Sequence, residues 1–445
     1  MRIEDHPTVQ EYRHQLSTTK SKETAEIKAD WLKKTALEAG VDDVGFVDVD
    51  RAAMTDYRQD LLYVMPGVQT VMAMVFRLNR SSLRTLAHSI ANFEFKHMWM
   101  YANETARKIV NRLEAQGVQA LNMPTGFPYE SSRWPDKMWL TCDKVFAVEA
   151  GLGYMGWNRL VIHPQFGAAV ILGNILLASK VDQYDQPMNF NPCLECGLCV
   201  AVCPVGAVSR DGQFNFSACY SHNYRERLGG FLDWVENIAD SRNHAEYRRR
   251  ISDAETISMW QNLSIGAQTL CDRCMAVCPA GRDAIGEYLD NRKDYTRRYL
   301  EQFKDVEEII YVVKGSDAEQ HVTAKFPSKK VKRISNGIRP NSAKMFLESL
   351  PIIFQPKQSE GLNAIFHFTF TGAEDLKGTV IIREKTIGVQ EGHVDQADLL
   401  VTADSRTWID FLAQEKNLVW ALLTRKIRLK GSPKLLKAFA KCFPS

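Results

Sequence analysis

The most informative segment of the chain is PCLECGLCVAVCP, residues 192–204. Its four cysteines follow the spacing C-x2-C-x2-C-x3-C, and a proline follows the last of them. This spacing is typical of loops that bind [4Fe-4S] clusters, because one tight turn delivers three thiolates to a single cube. Zinc sites instead use two separate C-x2-C pairs. The sequence therefore predicts an iron–sulfur module at this point of the chain.

A second, shorter cysteine run lies downstream in CDRCMAVCPAG, residues 271–281. In two-cluster ferredoxins the last cysteine of each run binds the other cluster. The second run lacks one cysteine, and Cys219 is the only cysteine between the runs, so we assign it as the missing ligand. The predicted sets are Cys193, Cys196, Cys199 and Cys278 for one cluster, and Cys203, Cys219, Cys271 and Cys274 for the other. We expect the remaining Cys142 and Cys442 to be ordinary buried thiols.

Composition sets the broad class. The chain has 445 residues, of which 45% are apolar and 24% charged, as in soluble globular proteins. The net charge of +3 is too small to favour a nucleic-acid partner. No apolar stretch approaches the roughly 18 residues of a membrane-spanning helix, and the N-terminal residues show no export signal. We therefore expect a cytoplasmic enzyme whose ten cysteines serve metal or redox sites rather than disulfides.

The pattern of helices and strands predicts several units. Residues 1–27 form an N-terminal arm, and residues 28–187 alternate helix and strand, which favours an α/β core. Residues 188–290 form the cluster domain. Residues 291–340 are charged and lack clear periodicity, so they predict a helix and a linker, with the basic residues Lys329, Lys330, Lys332 and Arg333 on a solvated face.

Residues 341–445 predict a separate α+β domain. The segment AIFHFTFTG alternates strictly, with Phe366, Phe368 and Phe370 on one face of a strand. The later helices carry two apolar stripes, which are core by default and could instead line a lipid tunnel. The stripes are Trp408, Phe411, Leu412 and Val419, Leu422, Leu423.

A glycine-rich segment, AVEAGLGYMGWNRL, precedes the cysteines and contains G-x-G-x-x-G at Gly151, Gly153 and Gly156. The preceding DKVFAVEA is helical in pattern, and no acidic residue follows about 20 positions later, so a dinucleotide site is not favoured. Close approach of the backbone to another large, flat cofactor fits the segment better.

Taken together, residues 28–288 resemble the epoxyqueuosine reductases and the cobalamin-dependent reductive dehalogenases. The stretches that carry the resemblance are EAGVDDVGFVDVD, MPGVQTVMAMVFRLN, AGLGYMGWNRLVIHPQFGAAVILGNILL, both cysteine runs, and Cys219 followed by Tyr220. The resemblance implies an α+β protein with a nitroreductase-like α/β core that holds base-off cobalamin beside a ferredoxin-like insertion with two [4Fe-4S] clusters. It implies corrin contacts from Lys144, Gly151, Gly153, Tyr154, Gly156, Trp157, Asn158 and Gly167.

Proton delivery departs from both families. The catalytic aspartate of epoxyqueuosine reductases lies fourteen positions before the AGLG glycine, which in this chain is Lys137, with Asp136 beside it. The arginine that dehalogenases often carry is missing from PQFGAAVILG. Our candidates for the acid are therefore Asp136, Lys137, Tyr101 and Tyr154. The structural alternatives are a turn role for Asp136, packing on the adjoining helix for Tyr101, and a hydrogen-bonding rather than cobalt-binding role for His163.

The last 100 residues resemble sterol carrier protein type 2, through FHFTFTG, ADLLVTADSRTWIDFL and LVWALLTRKIRLKGSPKLLKAF. That family binds acyl or sterol-like ligands. The main hypothesis is a cobalamin- and iron–sulfur-dependent reductase, considered as a reductive dehalogenase, that acts on a hydrophobic small molecule and accepts electrons from ferredoxin or flavodoxin. The alternatives are an epoxyqueuosine reductase-like enzyme of tRNA and a non-enzymatic electron carrier. We expect no nucleic-acid partner.

Overall fold

The computed structural model describes residues 2–18, 26–126, 142–226, 229–266, 270–413 and 415–444. It has a four-stranded sheet in its N-terminal half and a five-stranded sheet in its C-terminal part, with the cysteine loops and a small parallel sheet between them. None of the helices described is both long enough and apolar enough to traverse a bilayer. None of the ten cysteines, all of which lie in the described residues, forms a disulfide.

The first sheet runs in the order Asp43–Asp48, Thr70–Arg77, Val170–Leu177, Ala120–Asn122, and every neighbouring pair is antiparallel. The structure is of the mixed α+β class, which confirms the predicted fold class of the whole chain. The strands of this sheet are antiparallel, although the alternation of helix and strand in the sequence favours an α/β core. The strand Thr70–Arg77 is buried on both faces, because alternate residues pack against helices on opposite sides.

Several helices surround this sheet. The long helix His88–Glu114 covers one face, and Asp143–Glu149 covers the other. The remaining elements of this half are the helices Pro7–Thr18, Ala29–Ala39, Thr55–Val64 and Arg80–Leu83, the 3-10 turns Ile3–Asp5 and Ala52–Met54, and the short strands Tyr154–Met155 and Val161–Ile162.

The cysteine loops are interrupted by short helices: Leu198–Val202, Phe216–Asn223, Arg273–Ala276 and Ile285–Asp290. Between Cys219 and Cys271 the chain adds three more helices, Gly229–Ala239, His244–Arg250 and Asp253–Ile265. The last of these begins at a capping box formed by Ser252 and Glu255, and ends where Gly266 adopts a left-handed conformation.

The interpretation of residues 291–340 as a helix and linker is wrong for the second half of that segment. After the helical turns Arg292–Thr296, Arg297–Glu301 and Gln302–Asp305, the parallel strands Ile309–Val313 and Lys330–Ile334 flank the helix Asp317–Lys325. This βαβ unit folds because Ile310, Val312 and Val322 are buried in one cluster with Cys203 and Ala218.

The prediction of a solvated basic face is wrong at Lys329. Its side chain is only 1% exposed, and its ammonium lies 2.9 Å from the Glu308 carboxylate. Glu308 also pairs with the buried Arg273. Lys330 and Arg333 do lie on the exposed side, where they pair with Glu307 and Glu319.

The C-terminal sheet runs in the order Thr386–Glu391, Leu376–Arg383, Ala364–Thr371, Leu399–Asp404, Ile427–Gly431. The helices of this unit are Ala343–Ile353, Ser405–Leu412, Leu418–Leu423 and Pro433–Lys441. The predicted alternation of Phe366, Phe368 and Phe370 is confirmed, since all three are completely buried. They pack on Phe346, Trp408 and Phe439, so aromatic rings fill this interior.

The two predicted apolar stripes differ in how far they are buried. Trp408 is buried, and Phe411 and Leu412 are partly buried against the same core, as a core role predicts. The second stripe departs from that prediction, because Val419 is 62% and Leu423 is 79% exposed. The helix Leu418–Leu423 is anchored on the core by Leu418, Ala421 and Leu422, and its opposite side faces solvent.

Candidate iron–sulfur and cofactor site

The first predicted cysteine set comes together around the loop 193–199. Gly197 and Glu195 both have positive φ angles, of 76° and 51°, which turn the chain tightly enough to direct its thiols inward. Burial raises the pKa of the Cys199 thiol to about 12, and Cys278, Cys196 and Cys193 contribute to the rise because they lie close by. The second run thus delivers Cys278 to the first loop, as the crossed-ligand prediction requires.

The second predicted set is also assembled in space. Burial raises the pKa of the Cys274 thiol, and the neighbouring Cys271, Cys219 and Cys203 raise it further. Cys219 reaches this group from the helix Phe216–Asn223, whose first turn is capped by Asn215. Among the described residues no three cysteine, histidine or acidic side chains are arranged to hold a single metal ion, so the division into two ligand sets stays a prediction.

The chemistry of the two donor sets fits iron–sulfur clusters. Burial and neighbouring thiols both raise the pKa of Cys199, Cys219 and Cys274, so these groups are unfavourable as thiolates unless positive charge lies between them. Ferric and ferrous ions supply that charge and bind thiolate sulfur. Backbone amides also point at the sulfurs, since the Ala207 amide donates to Cys203 Sγ over 3.2 Å. Donors of this kind are one means by which a protein tunes a cluster potential.

A small pocket, partly open to solvent, lies against the first cysteine set. Besides the cysteines, it is lined by Trp157, Asn158, Ile162 and Leu194. Two predicted cofactor residues, Trp157 and Asn158, therefore lie at the cluster loops. The Asn158 amide is buried and donates to the Cys274 carbonyl over 3.4 Å, so it joins the glycine loop to the second cysteine set.

The predicted cofactor glycines are each required by packing within the chain. A β-carbon at Gly151 would lie 2.5 Å from the Gln186 carbonyl oxygen, and one at Gly153 would lie 2.7 Å from the Ile162 carbonyl oxygen. A β-carbon at Gly156 would likewise crowd the side chain of Ile162. Their small size is explained by these contacts, and an additional backbone contact with a corrin stays a prediction.

Gly167 joins the glycine loop to the second cysteine run. Its φ is +59°, and a β-carbon there would lie 1.8 Å from the Ala280 carbonyl oxygen. The Cys278 sulfur receives backbone hydrogen bonds from Ala280 and Ala168, which oppose the rise that burial causes in its pKa. The end of the glycine loop is therefore part of the wall around the first cysteine set.

The candidate proton donors have separate positions. Asp136 and Lys137 lie outside the described residues. Tyr154 is exposed in the short hairpin that follows Gly153. The Tyr101 hydroxyl donates to the Gly40 carbonyl over 3.2 Å, and its ring packs edge-on against Phe76. Tyr101 therefore packs on the adjoining helix Ala29–Ala39, which was the alternative to a catalytic role.

Two other predicted residues lie close to the site. Lys144 is exposed, and its positive charge opposes the rise of the Cys219 pKa, which places the ammonium near the second cysteine set. His163 is buried; its Nε2 lies 3.1 Å from Asp43, and its Nδ1 accepts the Gln165 amide over 3.1 Å. Both ring nitrogens are engaged, as a structural hydrogen-bonding role predicts.

Sequence reasoning missed Arg80. Its guanidinium donates to the carbonyls of Phe166, Ala280 and Cys278 over 2.6, 3.1 and 3.2 Å, and so fixes the glycine loop to the second cysteine run. Nothing in LNRSSLR, where Arg80 lies, distinguishes it from a surface arginine. Only the contact between segments about 200 residues apart shows its role.

Comparisons with known proteins follow the same division of the chain. Residues 188–209 match the 4Fe-4S binding domain family, and residues 355–444 match the SCP-2 sterol transfer family. The epoxyqueuosine reductase of Staphylococcus aureus is 31% identical over 140 residues, which are 32% of this chain and 30% of that protein. The epoxyqueuosine reductase of Lactococcus garvieae is 29% identical over 31% of each chain. This chain thus spans about three tenths of the length of these curated relatives.

Solved structures of two groups are similar at low identity. An epoxyqueuosine reductase from Bacillus subtilis matches with a TM-score of 0.31 and 17% identity, over 45% of this chain and 57% of that one. An epoxyqueuosine reductase with a modified tRNA stem loop matches with a TM-score of 0.32 and 15% identity, over 62% and 82%. A catabolic reductive dehalogenase matches with a TM-score of 0.37 and 13% identity, over 63% and 36%.

These findings confirm the predicted resemblance to epoxyqueuosine reductases, the [4Fe-4S] motif of the first cysteine run and the sterol carrier protein-like C-terminal part. They favour the epoxyqueuosine reductase alternative over the dehalogenase hypothesis, because the curated relatives bear the former name. The expectation of no nucleic-acid partner finds no support in them.

Proposed function

We propose that this chain is an iron–sulfur- and cobalamin-dependent oxidoreductase of the epoxyqueuosine reductase type, with two [4Fe-4S] clusters. The observation that supports the proposal is that Cys193, Cys196 and Cys278 lie close enough to Cys199, and Cys203, Cys219 and Cys271 close enough to Cys274, to raise the pKa of those two thiols, beside a glycine loop that resembles the corrin-binding segment of that family. Similarity to curated epoxyqueuosine reductases supports the reaction type.

The eight cysteines would bind the two clusters. Cys193, Cys196, Cys199 and Cys278 would hold one cluster, and Cys203, Cys219, Cys271 and Cys274 the other. Bound clusters pass single electrons, and bound cobalamin supplies a strongly reducing cobalt centre to the substrate.

The polar groups around the sulfurs would stabilise added electrons. The Ala207 amide donates to Cys203, and the Lys144 ammonium lies close to Cys219, so both offset the negative charge that a reduced cluster carries. Trp157 and Asn158 line the cavity beside the first set and would limit water there. Asp136, Lys137 and Tyr154 remain the proposed sources of the proton.

The substrate we propose is epoxyqueuosine in tRNA, which the name of the curated relatives and the modified tRNA stem loop in one solved structure indicate for those proteins. The second candidate is a hydrophobic small molecule, with reductive dehalogenation as the specific case. The match of residues 355–444 to the SCP-2 sterol transfer family favours this second candidate, since that family name denotes a sterol ligand.

The test is anaerobic purification from cells supplied with cobalamin, followed by iron analysis and by ultraviolet–visible and EPR spectra. We expect about eight irons per chain, as two cubes require, and a corrin signal. Protein that holds both clusters but no corrin would leave only the electron-carrier alternative. The loaded protein should then convert epoxyqueuosine in a tRNA stem loop when a chemical reductant is present, as measured by mass spectrometry of the released nucleosides. Conversion of a halogenated aromatic compound, with the tRNA left unchanged, would favour the second candidate.

The matched control is Cys442→Ala, because Cys442 is fully buried in the C-terminal core and away from both cysteine sets. It should keep iron, corrin and turnover, whereas Asp136→Asn should slow turnover and keep the corrin signal. Unchanged turnover in Asp136→Asn would remove Asp136 as the acid.

A further inference from the structure

The C-terminal unit exposes an apolar surface that its own core does not use. Val419, Trp420 and Leu423 lie on one side of the helix Leu418–Leu423, spaced as i, i+1 and i+4, and all three are exposed. Exposed single apolar residues are ordinary, but three large ones on one short helix form a patch. Burying them in another apolar phase would stabilise the bound state.

Positive charge surrounds this patch. Residues 416–445 contain eight lysines and arginines and no acidic residue. Arg425 and Lys426 directly follow the helix, and Arg428 lies on the edge strand Ile427–Gly431. All three are exposed, and none forms an ion pair with any residue that the structure describes. Lysine and arginine on an edge strand do prevent edge pairing, but this role does not explain the apolar side chains beside them.

The presence of both apolar side chains and positive charge on this surface distinguishes between possible binding partners. A second copy of this surface would bring like charges together, which disfavours self-association. Nucleic acid would satisfy the cations but offers no medium in which Leu423 and Val419 are buried. An anionic bilayer surface does both, since its headgroups attract lysine and arginine and its acyl boundary accepts apolar side chains.

We propose that this surface, formed by Val419, Trp420, Leu423, Arg425, Lys426 and Arg428, docks the protein on a membrane rich in anionic lipid. The helix lies flat, its apolar side enters the headgroup region, and the cations flank it. The interior behind the helix is filled by aromatic rings, so docking uses the outside of the unit rather than its core. The proposal does not depend on the enzymatic function proposed above.

The test is co-sedimentation of the full-length protein with phosphatidylcholine vesicles, with and without phosphatidylglycerol. We expect binding to the anionic vesicles, weak binding to the neutral ones, and loss of binding as salt is raised. Leu423→Glu should weaken binding about tenfold or more, because the transfer of the leucine side chain is lost. Arg425→Gln and Lys426→Gln should each weaken it about fivefold.

The matched control is Leu289→Glu, which places the same charge on another exposed leucine outside this unit, 57% exposed against 79% for Leu423. It should bind like the unmodified protein. Equal binding to both kinds of vesicle, or unchanged binding by Leu423→Glu, would overturn the proposal. So would affinity for a short RNA stem loop that falls in the cation variants but not in Leu423→Glu, which would assign the surface to nucleic acid. A dimer that Leu423→Glu abolishes would assign it to a second copy.

Discussion

Replacing Glu308 with glutamine removes the carboxylate that two buried cations share. The Lys329 ammonium lies 2.9 Å from the Glu308 carboxylate, and its side chain is almost fully buried. The second cation is Arg273, which pairs with the same carboxylate and lies in the sequence between the predicted cluster ligands Cys271 and Cys274. Breaking a buried ion pair from one side costs about 3–5 kcal/mol, because the partner charge is left buried. Lys329 keeps the carbonyl oxygens of Phe303 and Val306 as acceptors, so we expect about 3 kcal/mol.

The assay is urea unfolding of the iron-loaded protein, followed by circular dichroism and by the visible absorbance of the clusters. The lost free energy is obtained from the shift of the midpoint and the slope. Glu307→Gln is the matched control, because Glu307 is the preceding residue and pairs with an exposed lysine instead. If Glu308→Gln unfolds at the same midpoint as Glu307→Gln, the reasoning that the three charges form a buried unit is refuted. Adding Lys329→Met to Glu308→Gln should recover part of the loss, since it removes one unpaired charge.

Three further predictions concern the cluster region and its support. Cys219→Ala should halve the iron content and abolish the EPR signal of one cluster, and an unchanged iron content would contradict its assignment as a ligand. Gly167→Ala should destabilise the protein by well over ~1 kcal/mol. Its control is Gly117→Ala, which should cost only about 1 kcal/mol, because Gly117 has a similar positive φ but open space around it. Equal midpoints in thermal unfolding would contradict the packing argument. Burial alone would raise the pKa of Glu255, but hydrogen bonds from Lys332 and Ser252, together with the Lys332 charge, lower it below its ordinary value, so the pairing with Lys332 stabilises the fold above pH 4.5 and is lost as pH falls through the lowered pKa. Lys332→Met should therefore destabilise the protein at neutral pH, and a difference in melting temperature that persists unchanged in acid would contradict this.

The sequence allowed the cysteine sets to be predicted because cluster ligands obey a spacing that follows from the geometry of the cube. The shared face of Phe366, Phe368 and Phe370 could be predicted equally well, since every second side chain of a strand points to the same side. Both features depend on neighbours in sequence. Arg80, by contrast, acts through carbonyl groups about 200 residues away, and no local pattern marks such a residue.

The βαβ unit was missed for a related reason. Its helix Asp317–Lys325 is largely polar and its strands are short, so periodicity is weak there. A charge run normally indicates a solvated face, yet Lys329 is buried because Glu308, at the start of the preceding strand, pairs with it. The pair of acidic residues at 307–308 was the available signal, but the strand pairing that brings them to the lysines is not local.

The cap of the helix that carries Cys219 also bears on biosynthesis. Asn215 caps the start of that helix, and its side-chain amide donates to Oε1 of the Gln355 side chain, which also accepts the backbone amide of Asp317. Because a ribosome releases the chain from its N-terminus, the loop at 193–199 emerges long before these supports do. Cys278 is the last of the eight cysteines in the chain, so both predicted sets are complete only after residue 278 has emerged. A truncated product that ends before Gln355 would keep all eight cysteines but leave the helix of Cys219 without the contact that steadies its first turn.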